Sequence, residues 1–203
     1  LTDTKGNVYI IRNGYGVTVE KKSQTSPSDT KKKTGTGNFI TAYIDHGTSP
    51  QNASYEYLML VRPSSKDEGR FAKKLPYTVI QADNQAHVVR DDITGITAYI
   101  SYGGYASAET LVAGAEPETI VMERTRDDGK VVMSVCTPDL GITEKGYTTT
   151  QQSQKILKKV ILKGTWSLSS PSENVDLIIE DGNTVISAIC LHGQPVEFTL
   201  NNN

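Results

Sequence analysis

Cysteine is nearly absent from this sequence: Cys136 and Cys190 are the whole complement in 203 residues. Two thiols cannot form a disulfide framework. Neither stands in a Cys-x-x-Cys spacing or beside a histidine, which removes a zinc site or a redox motif. Both lie in apolar, strand-like runs, where a thiol packs as a small hydrophobe; a single disulfide stays open in an oxidising compartment. Histidine is scarce as well, with only His46, His87 and His192. An excess of charge of one sign is missing: 21 basic and 23 acidic side chains leave a net charge of -2. A dedicated nucleic-acid surface needs a basic excess, so that partner is excluded. Long apolar runs are missing too. The longest, Leu58 to Val61 and Val160 to Leu162, are far too short to span a bilayer as a helix. The chain opens on Leu1 without a signal-peptide pattern, so a processed chain or a piece of something longer is expected.

What is present is alternation with a period of two. Val8 to Arg12, Phe39–Tyr43, Tyr55–Val61, Ile96–Tyr102, Thr119–Arg124, Lys130–Cys136, Lys158–Leu168, Val175–Glu180, Thr184–Leu191 and Val196–Leu200 are rich in Val, Ile, Thr, Tyr or Phe. Gly, Pro, Asn or Asp bounds each run. Asn13-Gly14, Asp128-Gly129, Asp181-Gly182 and His192-Gly193-Gln194 stand between such runs; these residue types favour the left-handed conformations of tight hairpins. The pattern predicts an all-β protein built from antiparallel β-sandwiches. It predicts one short helix near 64–74, with Ser64 or Ser65 as N-cap, Asp67 and Glu68 in the first turn, Lys73 and Lys74 in the last, and Pro76 as a stop. Thr150 to Lys159 is a weaker helical candidate without an apolar stripe. Residues 21–37, with five lysines, read as a solvated loop, and 143–155 as a second. A boundary is expected near Pro76.

Chemistry is sparse. There is no Gly-x-Ser-x-Gly elbow and no His-Glu-x-x-His pair. His46 follows Asp45, whose carboxylate could orient it as a base, but a histidine satisfied in a turn at a strand end is the simpler reading. Asp91-Asp92, Asp127-Asp128 and Glu180-Asp181 read as turn formers, and none fits a calcium loop. No metal or cofactor is expected, although a weak divalent-cation site between neighbouring loops stays open. The sequence offers ten tyrosines. Tyr99, Tyr102 and Tyr105 cluster beside Gly103 and Gly104, and such rings can stack on sugar faces, or simply fill a half-buried sheet face. Lys31, Lys32 and Lys33 form a basic run, suited to an acidic polymer or merely solubilising.

One stretch narrows the choice. Tyr43-Ile44-Asp45-His46-Gly47-Thr48-Ser49-Pro50-Gln51-Asn52-Ala53-Ser54-Tyr55-Glu56-Tyr57 closes a strand, turns at a proline and starts a return strand with Ala-x-Tyr-x-Tyr. It resembles the late β-sandwich region of polysaccharide lyase family eight, whose members cleave chondroitin, hyaluronan or xanthan. Gln85-Ala86-His87-Val88-Val89-Arg90-Asp91-Asp92 followed by Thr94-Gly95-Ile96-Thr97-Ala98 resembles the opening of that family's small C-terminal β domain, and Lys163-Gly164-Thr165-Trp166 one of its later strands. The full first motif favours the chondroitin-cleaving side.

The resemblance implies the last part of a central sandwich over 1–76 and a C-terminal sandwich over 77–203. Family members abstract the C5 proton of a uronic acid and expel the 4-linked sugar with residues of an upstream helical toroid. No position here matches those motifs, so no catalytic residue is assigned. The expected role is to brace the toroid, supplied by the same polypeptide, and to wall its cleft for an acidic polysaccharide, in a secreted or periplasmic bacterial setting. Arg62, Arg70, Lys73 and Lys74 join the lysine run as candidate contacts. An independent carbohydrate-binding module is the alternative. A stand-alone enzyme using His46 with a tyrosine is a third reading, and a deep pocket combining those two with a cation would favour it.

Overall fold

The computed structural model describes residues 1–12, 14–27, 34–139 and 153–203. The chain divides into two compact units, Leu1–Leu75 and Pro76–Asn203. Among the described residues no helix is long and apolar enough to cross a membrane.

The first unit holds β1 (Val8–Ile11), β2 (Val17–Pro27), β3 (Thr34–Ile44), β4 (Tyr57–Leu60) and helix α1 (Ser65–Lys73). β1 pairs with β4 and β2 with β3, giving two separate two-stranded antiparallel sheets. The stretch read from the sequence as a solvated loop over 21–37 is therefore largely strand: eleven residues of β2 pair with eleven of β3, from Val17↔Ile44 to Pro27↔Thr34. Lys21 and Lys22, both exposed, obscure its Thr- and Ser-rich alternation. The basic run Lys31–Lys33 lies outside the described residues. Helix α1 begins where its cap predicts. Ser64 Oγ accepts the N–H of Asp67 at 3.2 Å, and acidic residues occupy the first turn, basic ones the last, each opposite in sign to the dipole end it faces. No residue of the helix is buried.

The second unit holds β5 (Tyr77–Ala82), β6 (Ala86–Asp91), β7 (Thr97–Ser101), β8 (Tyr105–Ala106), β9 (Val112–Ala115), β10 (Thr119–Thr125), β11 (Val131–Cys136), β12 (Ile156–Lys163), β13 (Trp166–Leu168), β14 (Val175–Glu180), β15 (Asn183–Cys190) and β16 (Val196–Asn202). They form a seven-stranded sheet, ordered β13-β16-β11-β10-β7-β6-β5, and a five-stranded sheet, β14-β15-β12-β9-β8, with every named pair antiparallel. Alternation sends Val131, Met133 and Val135 of one sheet, and Val160, Leu162, Ile186 and Ala188 of the other, into a single core, as in a β-sandwich. The weaker helical candidate over Thr150–Lys159 ends in strand β12 from Ile156 onward; its residues 150–152 lie outside the described part. The run Lys158–Leu168 is two strands, not one. Gly164, at φ +82°, breaks it, and the indole N–H of Trp166 donates back to the Lys163 carbonyl at 2.6 Å. Asp181 and Gly182, at φ +49° and +76°, make the left-handed pair that a two-residue hairpin twist requires. Cys190 is buried and Cys136 half-buried, both as free thiols. Cys190 donates weakly to the Val135 carbonyl across the sheets, S···O 3.8 Å, and burial raises the pKa of both thiols.

Candidate functional site

The tyrosine cluster divides. In β7 the inward set is Thr97, Tyr99 and Ser101. Tyr99 is 1% exposed and Tyr105 4%. Their rings meet edge-on at 5.3 Å across the sandwich. The Tyr99 hydroxyl donates to Glu123 Oε1 at 3.3 Å, and the Tyr105 hydroxyl meets Thr110 Oγ1 at 2.5 Å. Burial raises the Tyr99 hydroxyl pKa strongly, with the Glu123 charge adding to it. Neither ring has a face free to stack on a sugar, which corrects the expectation for Tyr99 and Tyr105. Tyr102, one position past the end of β7, is half exposed and packs edge-on against His87 at 5.2 Å.

The described residues of the first unit form another arrangement. An open groove of about 940 Å³ runs between the two ribbons, lined on one side by Tyr9, Ile11 and Tyr57, on the other by Val17, Val19 and Ile40. Its aromatic wall is a row. Tyr9 and Tyr57 have centroids 6.3 Å apart, Tyr57 and Tyr55 are 6.3 Å apart and nearly parallel, and Tyr55 and His46 are 6.5 Å apart. Two separations explain it: Tyr55 and Tyr57 are two residues apart, and Tyr57 is the register partner of Ile11 beside Tyr9. Lys21 also lines the groove. The Asp45 carboxylate accepts the N–H of Gly47 at 2.8 Å, so it closes the turn.

This groove was missed in the sequence, although Tyr55-x-Tyr57 and Asp45-His46-Gly47 were both quoted in the resemblance. The signal was there: side chains at i and i+2 of an extended chain point the same way, and Tyr55 stands two residues before the start of β4. What was unreadable was that Tyr9, far away in sequence, continues the row. The groove brings His46, tyrosines and one cation together, as the stand-alone enzyme reading asks, but as an open, largely apolar channel and not a deep pocket. Stacking on sugar rings is within its chemistry.

The remaining candidates scatter. Arg62 Nε donates to the Lys5 carbonyl at 3.2 Å. Arg70 lies 4.4 Å over the Phe71 ring, and Lys73 closes the last helical turn, followed by Lys74 as its C-cap. Ser153 Oγ contacts His192 Nδ1, an exposed pair with no carboxylate hydrogen-bonded to the histidine among the described residues. No group of three or more metal-ligating side chains is found among them.

No family model matches the chain. It is 28% identical over 205 residues to the chondroitin sulfate ABC endolyase of Proteus vulgaris, covering 98% of this chain and 20% of that protein. It is 28% identical over 197 residues to the chondroitin sulfate ABC exolyase of Bacteroides thetaiotaomicron, covering 85% and 19%. Among solved structures, the chondroitin AC lyase of Streptomyces coelicolor aligns over 96% of this chain and 25% of that one with a TM-score of 0.68 and 17% identity. A Paenibacillus xanthan lyase aligns over 98% and 19% with a TM-score of 0.71 and 17% identity. The resemblance to polysaccharide lyases is thus met in both sequence relatives and fold, and the chain spans about a fifth of the length of the curated relatives it matches.

Proposed function

We propose that this chain is a non-catalytic β portion of a lyase that cleaves chondroitin-sulfate-type glycosaminoglycan by β-elimination. The observation that carries the reading is one of proportion: 98% of the chain aligns with 20% of a chondroitin sulfate ABC endolyase. Four-fifths of such a protein remains to hold the proton-abstracting groups. In this reading, residues 1–76 end a larger central sandwich and 77–203 form the terminal one. The chain braces a helical catalytic region of the same polypeptide and walls its cleft, in a secreted or periplasmic bacterial protein. Tyr102, Lys31–Lys33, Arg62, Arg70, Lys73 and Lys74 are its candidate contacts to the acidic polymer, whose sulfates and carboxylates attract cationic surface.

The test is direct. The 203-residue chain, incubated with chondroitin sulfate, is expected to give no rise in the absorbance of the unsaturated uronide. In the gene, a long helical region is expected upstream of Leu1, and its absence would sink the proposal.

The groove supports a second reading, in which this chain handles sugar itself through His46 and the tyrosine row. It predicts uronide production, or at least oligosaccharide binding, by the isolated chain, lost in His46→Ala and Tyr55→Ala.

A further inference from the structure

The groove-forming sheet of the first unit is asymmetric at one edge. Leu1 and Thr2 run antiparallel beside β1. The Leu1 ammonium donates to the Tyr9 carbonyl at 3.0 Å, the Tyr9 N–H donates back to the Leu1 carbonyl at 2.7 Å, and Thr2 bridges Val8. A tight turn joins the two arms. Asp3 Oδ1 accepts the N–H groups of Lys5 and Asn7 at 2.8 and 2.9 Å, and Oδ2 takes the Asn7 side-chain amide at 2.8 Å. This is a β-hairpin whose second arm runs on to Ile11 while the first covers it only as far as Tyr9.

We infer that the residues immediately preceding Leu1 in the longer polypeptide continue this arm as a β-strand, antiparallel to β1 on the edge that β4 does not occupy. The inference rests on the reading of the chain as part of a larger lyase, and it names the partner of the groove's open end.

Register follows from geometry. In an antiparallel ladder the hydrogen-bonded pairs alternate. Leu1↔Tyr9 is such a pair, so the next is the second residue before Leu1 with Ile11. Partners in register share a face. Leu1, Tyr9 and Ile11 all line the groove, so the side chain of that second residue points into it. It must therefore be apolar and must carry an N–H. The first residue before Leu1 falls opposite Ile10, in a pair that exchanges no hydrogen bonds with β1. Leu1 itself is 50% exposed, at the point where the strand enters the groove.

The occupant also fits the energetics. Among the described apolar residues of the first unit, Val8 alone is buried, whereas Val19, Ile40, Tyr55 and Tyr57 stand 48% to 68% exposed. Apolar surface of this extent, in a chain one-fifth as long as its relatives, calls for covering polypeptide.

Hydrogen exchange tests it on two proteins: the 203-residue chain, and the same chain extended by the six residues that precede Leu1 in its gene. The Ile11 amide is expected to exchange about a hundredfold more slowly in the extended chain, as an amide drawn into a ladder does. The Ile10 amide, which faces β4, should keep its rate. Proline at the second added position before Leu1 should remove the Ile11 protection, and proline at the first should leave it, because an edge strand tolerates proline where no ladder bond is donated. Unchanged Ile11 exchange in the extended chain overturns the inference. If a long helical region nonetheless lies upstream, the broader reading stands. If the gene encodes nothing before Leu1, both fall.

Discussion

The two units spend their apolar residues differently. In Pro76–Asn203 two sheets close on one another, and Val88, Val121, Met133, Val135, Val160, Leu162, Ile186 and Leu200 reach 0% exposure. In Leu1–Leu75 strands of similar quality pair only in twos, and Val19, Phe39, Ile40, Tyr55, Tyr57, Met59 and Val61 remain open. An isolated two-stranded ribbon is marginal in water, so propensity and hydrogen bonding alone do not make a core. The difference teaches that the second unit closes a core of its own, while the first leaves most of its apolar side chains open. The sharpest way to break this comparison is in the core. Leu162→Ala is expected to cost about 2–5 kcal/mol, the range for emptying a fully buried leucine site, seen as a large fall in the denaturation midpoint of the second unit. A loss under about 1 kcal/mol would show a loosely packed sandwich and erase the contrast.

The next effect is electrostatic and begins in the second unit. Glu123 is 7% exposed on the inward face of β10. Desolvation raises its carboxyl pKa, against the hydrogen bonds of Thr97 and Tyr99 and the charge of Arg90. The folded value lies above the unfolded one, so the folded state holds the proton longer. Stability tied to Glu123 is complete below the ordinary glutamate range and is lost as pH rises through the raised value. Glu123→Gln keeps a partner for the Tyr99 hydroxyl and removes the titration. It should raise stability at neutral pH by on the order of 1 kcal/mol and flatten this part of the stability–pH curve. Asp3, Asp83 and Asp91 act with the opposite sign. Backbone N–H groups lower the first two, from Asn7 and Ala86 foremost, and the Thr94 hydroxyl leads for Asp91. Their contribution exists above the ordinary carboxylate range and vanishes as pH falls through the depressed values. Chemical denaturation across pH 3–8 of wild type and Glu123→Gln separates the two trends.

Legibility followed the same division. The sandwich was readable because several of its strands alternate buried with less buried positions, as Val131 to Cys136 does, and Asp-Gly and His-Gly turns punctuate the strands. Helix α1 was readable from its serine cap, its acidic first turn, its basic last turn and the Pro76 stop. Of the ribbon β2/β3 only Phe39–Tyr43 was readable: with little burial on either face the rest of its sequence keeps few apolar anchors, and lysines made residues 21–37 resemble a loop. Lys158 shows the converse failure. It is 8% exposed on the inward face of β12, yet its ammonium escapes to the Pro117 carbonyl at 2.9 Å, a snorkel that no local pattern announces. At the candidate site, Tyr99 and Tyr105 stayed open between sugar-stacking rings and a half-buried sheet face because period two does not say which parity faces inward. The true groove needs Tyr9 and Tyr57 from strands that only the register brings together.

Helix α1 offers a smaller test inside the open unit. Ser64→Ala removes the acceptor for the Asp67 N–H and should cost the helix about 1 kcal/mol. Because the helix buries no residue, that loss should appear as faster amide exchange over 65–70 with the second unit's melting unchanged. A drop in the second unit's midpoint would mean that the two units share stability.

The smallest expected effect sharpens the comparison most. Ile40 is 66% exposed, opposite Lys21 on the groove face of the ribbon. In the 203-residue chain Ile40→Ala should change stability by less than about 0.5 kcal/mol, as surface substitutions do. The same substitution in the full-length protein should cost several times more, because covering polypeptide would turn an open face into a buried one and truncation would then leave a cavity. Chemical denaturation of both proteins with and without Ile40→Ala reads the difference. Equal small losses would mean that the ribbon's apolar face is open in the complete molecule too. In that case the groove with its tyrosine row is a surface for ligand, and not a seam awaiting the rest of the chain.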